Sequence, residues 1–183
     1  MARERTVMKE GVNVFDYAER IAKALPEGIL LNTCGGRFNS MVIGWGHLGV
    51  IWGLPTFIVY VRQSRYTKPL LDQMGEFTIS VPLEGKLDPE VFRICGTMSG
   101  RDVDKAAAAG LTLTEAECIR TPGIREYPLT LECKVLYRQD QMLDAMPEEI
   151  RQRYYARGTD AGDFHTAYIG QIVSAYIIRE DRT

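Results

Sequence analysis

Short apolar runs punctuated by glycine and proline dominate the chain, in place of long stretches of helical period. Residues 28–34 (GILLNTC) run into Gly35-Gly36, which is how a strand enters a turn. Residues 40–45 (SMVIGW), 55–61 (PTFIVYV), 77–81 (FTISV, stopped by Pro82), 129–137 (LTLECKVLY) and 165–178 predict five more strands, rich in β-branched and aromatic side chains. Helical spacing is confined to short segments. In 16–25, Tyr17, Ile21, Ala24 and Leu25 share a face, and Pro26 and Gly28 end it. In 67–74, Leu70, Leu71 and Met74 form a stripe, with Gly75 as the C-cap. Asp88-Pro89 opens a helix over 88–98. An alanine-rich helix over 102–109 is closed by Gly110, and a charged helix is predicted over 147–155. Strands joined by short helices, without regular βαβ alternation, predict a mainly β, α+β architecture: a β-barrel decorated by helices. No internal repeat, low-complexity tract or linker interrupts the 183 residues, so one domain over 1–183 is expected, with a helical excursion at about 139–163.

Charge narrows the function classes. Lys plus Arg number 22 and Asp plus Glu 24, a net charge of −2, which removes the electrostatic reason to expect a general nucleic-acid binder. Arginines outnumber lysines, and a planar guanidinium fork suits a phosphate or carboxylate. Cys34, Cys95, Cys118 and Cys133 form no CxxC pair and have no adjacent base, so buried, inert thiols are expected. His47 and His165 lack metal-ligand spacing, and no metal site is expected. Residues 1–9 are polar and mixed in charge, unlike a secretory leader, and no apolar stretch approaches a membrane span. A cytoplasmic protein with reduced thiols is the expectation.

Four segments carry candidate chemistry. Residues 44–49 (GWGHLG) match GxGxxG, but a strand rather than a helix follows, so no helix N-terminus is predicted to meet a pyrophosphate. We read 44–55 as a strand-to-strand loop. Arg62, Ser64, Arg65, Tyr66 and Thr67 lie between a predicted strand and helix. Two forked cations, two hydroxyls, a Thr67 cap and the helix's positive end would meet one phosphate there; a capped helix with surface arginines is the plain alternative. Ser99, Gly100, Arg101 and Lys105 repeat the mixture: Ser99 or Asp102 can cap a helix, and Arg101 and Lys105, four apart, can share its face. Asn39 and Ser40 offer polar edges to a heterocycle, and Met41 a soft apolar face. Trp45 and Trp52 are either aromatic walls or core, and His165 is either catalytic or a hydrogen-bonded structural histidine.

Taken in order, 39–46 (NSMVIGWG), 59–67 (VYVRQSRYT), 76–82 (EFTISVP) and 95–105 (CGTMSGRDVDK) resemble the flavin reductase-like, FMN-binding split-barrel family, its flavoredoxin-like branch most closely. The resemblance covers about 25–178, and 164–170 (FHTAYIG) is similar to the family's last barrel strand. It implies a six-stranded antiparallel split barrel, a homodimer, and FMN near the subunit interface. It places the FMN phosphate at 64–67 with Arg62 near, the isoalloxazine edge along Asn39, Ser40, Met41 and Val42, and Ser99, Gly100, Arg101 and Lys105 over ribityl and phosphate. Many relatives have threonine where this chain has Val42, so a hydroxyl contact is lost there while the backbone N–H remains. The resemblance implies an FMN-dependent oxidoreductase taking electrons from NAD(P)H or a redox partner, and no catalytic side chain is assigned because the flavin carries the chemistry. A non-catalytic FMN-binding electron carrier is the alternative, and a split barrel for haem or a deazaflavin a weaker one.

Overall fold

The computed structural model describes residues 7–156 and 161–180. Ten strands occur along it: β1 (Val7–Gly11), β2 (Ile29–Cys34), β3 (Phe38–Ile43), β4 (Gly46–Ile51), β5 (Leu54–Arg62), β6 (Glu76–Val81), β7 (Leu113–Thr114), β8 (Gly123–Ile124), β9 (Leu129–Asp140) and β10 (His165–Glu180). Five helices join them: α1 (Ala18–Ala24), α2 (Thr67–Met74), α3 (Pro89–Thr97), α4 (Lys105–Ala108) and α5 (Glu148–Tyr154). Eight strands form one sheet in the order β3-β2-β6-β9-β10-β5-β4, with β1 added beside β10. Every pairing is antiparallel. The mainly antiparallel β class with flanking helices is therefore as expected.

The six anticipated strands are all present, and β1 and β4 join them. The alternation in β1 is carried by Met8 and Lys9 rather than by a run of apolar residues, and in β4 Gly46 and Gly49 blank out half of the pattern. The GxGxxG segment is thus a hairpin arm rather than a loop, and its tip is Trp52-Gly53, both with positive φ. Trp52 is 64% exposed, so it is neither core nor a wall of a cavity.

Two apolar clusters lie on opposite faces of β2. Ile29 and Leu31 join Phe57, Val59, Phe77, Ile79, Leu129 and Leu131 in the main core. Leu30 points the other way, toward Leu87, Val91, Cys95 and Ile124 beneath α3. Burial on both faces explains why β2 reads as a continuous apolar run. The polar residues of β6, and Thr130 and Glu132 in the first half of β9, are buried as well. Glu132 accepts the N–H groups of Glu117 and Cys118, both at 2.7 Å, Glu76 accepts that of Arg120 at 2.8 Å, and Thr78 donates to the Pro122 carbonyl at 2.7 Å. These groups seat the 117–122 segment without a ladder of its own.

Gly170 is fixed by packing. A Cβ there would lie 2.6 Å from Cζ of Phe77 and 3.0 Å from Cβ of Cys133. Gly170→Ala is expected to cost about 1–3 kcal/mol of stability through overpacking, measured by urea denaturation; an unchanged midpoint would contradict this packing. The thiols differ from expectation: Cys95 and Cys133 are buried, Cys34 is half-buried and Cys118 is exposed on the 117–122 segment. No helix among the described residues is long and apolar enough to cross a membrane.

Candidate functional site

The end of β5 and the start of β10 are locked together. Arg62 pairs with His165 in the ladder, and Gln63 N–H donates to the Phe164 carbonyl at 3.1 Å. The chain then turns through 63–66 into α2, where Lys68 N–H is taken by the Arg65 carbonyl at 3.0 Å and Pro69 has no N–H to offer. Arg65 N–H closes the turn onto the Arg62 carbonyl at 3.1 Å. Across from this turn lies the 95–101 segment, the last residues of α3 and the turn after it, and between them β3 forms a floor. The cleft so enclosed measures about 200 Å3.

Eleven of the thirteen sequence-predicted site residues line it: Asn39, Met41 and Val42 from β3; Ser64, Arg65, Tyr66 and Thr67 from the turn and α2; and Ser99, Gly100, Arg101 and Lys105 from the opposite wall. Segments far apart in sequence are thus brought to one place. Ser40 and Arg62 are not on the lining. The Ser40 carbonyl instead accepts from Lys105 Nζ at 2.7 Å. Arg62 spends its guanidinium on the carbonyls of Asp163, at 2.8 Å, and Tyr154, at 3.0 Å, and lies over the Tyr155 ring. It therefore anchors the excursion after β9, with an approach to a ligand only in the neighbouring lobe described below.

Three local assignments change with the geometry. Thr67 does not cap α2: Tyr66 stands at the N-cap without a side-chain bond, and Thr67 Oγ1 accepts from Asn39 Nδ2 at 3.0 Å. The Thr67 hydroxyl is 2% exposed and keeps its own proton for another acceptor. The helix over 102–109 shrinks to the four residues of α4, capped by Asp104, whose carboxylate accepts Ala107 N–H at 3.1 Å, rather than by Ser99 or Asp102. Arg101 precedes that helix and shares no face with Lys105; it is exposed and lies over the Tyr66 ring, 5.1 Å from its centroid.

The charge of the cleft is one-sided. Among the described residues, Arg65, Arg101 and Lys105 line it, and no carboxylate does. Lys105 is 4% exposed, and its Nζ also donates to the Cys95 carbonyl at 3.1 Å. Burial, and then the nearby Arg65 cation, push the Lys105 ammonium below its ordinary pKa, against the opposing pull of Cys95. The Cys95 thiol is itself pushed up by burial, with Lys105 and Ser40 opposing, so it stays protonated and inert near neutral pH. Among the described residues the Arg65 guanidinium makes no hydrogen bond. Asn39 Oδ1 is buried without a partner, and a Cβ on Gly100 would run into it while approaching Tyr66 Cδ1 at 2.9 Å. Glycine at 100 is what lets this wall close on β3, and Arg37 holds it there by donating to the Gly100 carbonyl. Two cations in search of an anion, and an acceptor in search of a donor, suit a phosphate carried on a hydroxylated chain.

A second lobe of about 180 Å3 adjoins the first, sharing Met41, Val42 and Arg65, and is walled by Trp45, Tyr60, Arg62 and His165. Trp45 is 42% exposed and packs on His165 (centroids 4.8 Å apart) and edge-on to Tyr154 (5.3 Å). His165 Nδ1 meets the Tyr155 hydroxyl at 2.9 Å, and that hydroxyl donates to Gln141 Oε1 at 2.8 Å. The phenol's one proton being spent on Gln141, the hydrogen of the His165 contact belongs to Nδ1. Burial pushes the Tyr155 phenol up, against Arg62 and Gln141, so it remains a donor. His165 is thus hydrogen-bonded and also faces the lobe. The α5 excursion packs on this wall. Of the 139–163 segment, residues 157–160 lie outside the described residues. Of the two expectations for Trp45, wall or core, the structure gives the wall, in keeping with its flanking Gly44 and Gly46. Asp163, which accepts both Ser64 N–H (3.0 Å) and Ser64 O–H (2.5 Å), had no local signal, being 99 positions away.

Comparison with known proteins follows the same lines. Residues 22–183 match the model of the flavin reductase like domain. An uncharacterized protein of Archaeoglobus fulgidus is 30% identical over 115 residues, 63% of this chain and 52% of that protein. The chain matches about half the length of its curated relatives. Among solved structures, flavoredoxin from Methanosarcina acetivorans is similar at TM-score 0.60 and 26% identity, over 82% of this chain and 67% of that one. Flavoredoxin of Desulfovibrio vulgaris (Miyazaki F) is similar at TM-score 0.60 and 24% identity, over 85% and 69%.

Proposed function

Since the chain belongs to the flavin reductase-like family, we propose that it is an FMN-dependent oxidoreductase, its flavin laid along β3 with the phosphate in the cationic cleft and the ring in the aromatic lobe. One observation carries this reading: among the described residues three cations and no carboxylate line the first lobe, and it opens into a second whose walls are aromatic. Bound FMN would supply hydride and single-electron chemistry that no side chain here can perform.

The chain's part is to hold and aim. Arg65 and the third Lys105 proton are the phosphate donors, with the Thr67 hydroxyl beneath them. Arg101 and Ser99 close from the opposite wall, and Gly100 permits that closure. Asn39 Oδ1 accepts from the ribityl chain. Ser40 acts through its carbonyl, which fixes Lys105, and Tyr66 supports Arg101. Met41 and Val42 underlie the ring, where the Val42 N–H remains although the hydroxyl that a threonine would offer is lost. NAD(P)H is the proposed electron source and a homodimer the proposed assembly.

Titration of the purified protein with FMN tests the reading: a yellow complex of defined stoichiometry is expected, and a chain that takes up no FMN refutes it. A second reading, an electron carrier without turnover, is favoured by the likeness to flavoredoxin at 26% identity; a redox protein would then be its partner. Anaerobic bleaching of the bound flavin by NADH or NADPH separates the two, being expected for the oxidoreductase and absent for the carrier.

A further inference from the structure

Among the described residues, Ser64 is the one lining the cleft whose donors are already given to an anion. Its N–H and its hydroxyl both go to the Asp163 carboxylate, at 3.0 and 2.5 Å. A carboxylate and a phosphate ask for the same donors in the same fork. The neighbouring Arg65 guanidinium, by contrast, makes no hydrogen bond among the described residues. The turn is therefore arranged for an oxyanion, and the chain supplies one itself from just before β10.

Asp163 cannot simply withdraw. Its carbonyl accepts Arg62 Nη1 at 2.8 Å, and the next residue's carbonyl accepts Gln63 N–H. On the other side of its Cα, Gly162 N–H donates to the Tyr155 carbonyl at 2.8 Å, so the backbone is held before and after Asp163 and side-chain rotation is what can release Ser64. A phosphate entering at Arg65 either turns the carboxylate out or settles beside a like charge, and both lower its affinity.

We propose that Asp163 is a specificity-determining residue: its carboxylate competes with the ligand's phosphate for Ser64, and so sets how far the cleft prefers a phosphorylated ring over its dephosphorylated form. The proposal rests on the flavin reading above and adds to it a residue that restrains binding.

The test compares wild type, Asp163→Asn and Asp163→Glu, each titrated with FMN and with riboflavin. Asn removes the charge and halves the acceptor capacity. FMN is expected to bind it about tenfold more tightly, one charge-assisted contact's difference, while riboflavin changes less than about twofold. Glu keeps the charge and is expected to bind FMN no more tightly than wild type. An Asn variant whose preference for FMN over riboflavin is unchanged or reduced overturns the proposal, and so does a Glu variant that gains as much as Asn, because loosening rather than charge would then be the cause. Inorganic phosphate separates this failure from failure of the flavin reading. If neither flavin binds wild type, a larger phosphate-induced rise in the unfolding midpoint of Asp163→Asn than of wild type upholds the competition. Equal rises overturn it.

Discussion

Lys105→Ala is expected to lower the unfolding free energy by about 2–4 kcal/mol, from two carbonyls left buried without a donor and a cavity where the stem lay. The ammonium joins the Ser40 carbonyl of β3 to the Cys95 carbonyl of α3, and at 4% exposure no water replaces it readily. Lys105→Met separates the contributions. It keeps most of the hydrocarbon and removes a charge that is costly to bury, so it should be less damaging than alanine, although the same carbonyls stay unsatisfied. The pH dependence has a definite sign. The folded-state pKa of Lys105 lies below its ordinary value near 10.5, burial being the first cause. Between those two values the unfolded chain binds more protons than the folded one, so this group makes stability rise with pH there. At neutral pH the cost of burying the charge is in force. The stability of wild type relative to Lys105→Met should therefore grow as pH climbs toward about 10, as read from urea midpoints; a difference that is flat or shrinks sinks the assignment.

Arg65→Ala is expected to weaken FMN binding by about 1.5–3 kcal/mol, the range for a hydrogen bond to a charged group, which is roughly ten- to 150-fold in Kd. Its guanidinium makes no hydrogen bond among the described residues, so the fold should not suffer, and unfolding midpoints of the free protein should match wild type. Riboflavin, which has no phosphate, should bind both forms alike. Equal FMN affinity in wild type and variant would move the phosphate away from the β5–α2 turn.

The architecture was legible where burial writes itself into composition. β2, β5 and β6 have dense apolar runs because both faces or alternate faces are covered, and α3 carries a cap that the structure retains, Asp88 accepting Glu90 N–H at 2.8 Å. β1 escaped because charged Lys9, half-buried, and Glu10, exposed, break any apolar run along β10, and β4 because glycine has no side chain to reveal a period. The cleft was legible as a collection of residues, since the family pattern and the donor chemistry both selected them. Their partners were not. Nothing near position 62 says that its guanidinium is committed to carbonyls ninety-two and more positions away. Nothing near 67 says that its hydroxyl meets Asn39 rather than its own helix. Local sequence specifies which donors exist, and long-range folding decides which of them remain available.

β10 pairs with β5 over His165–Gln171, with β9 along most of its length, and with β1 from Tyr176 to Glu180. Loosening the cleft end of this strand therefore strains ladders that reach the opposite edge of the molecule. Amide hydrogens of β5, β9 and β10 should accordingly exchange with deuterium as one cooperative block, and occupation of the cleft should slow exchange as far away as the β1 edge, where no ligand atom reaches.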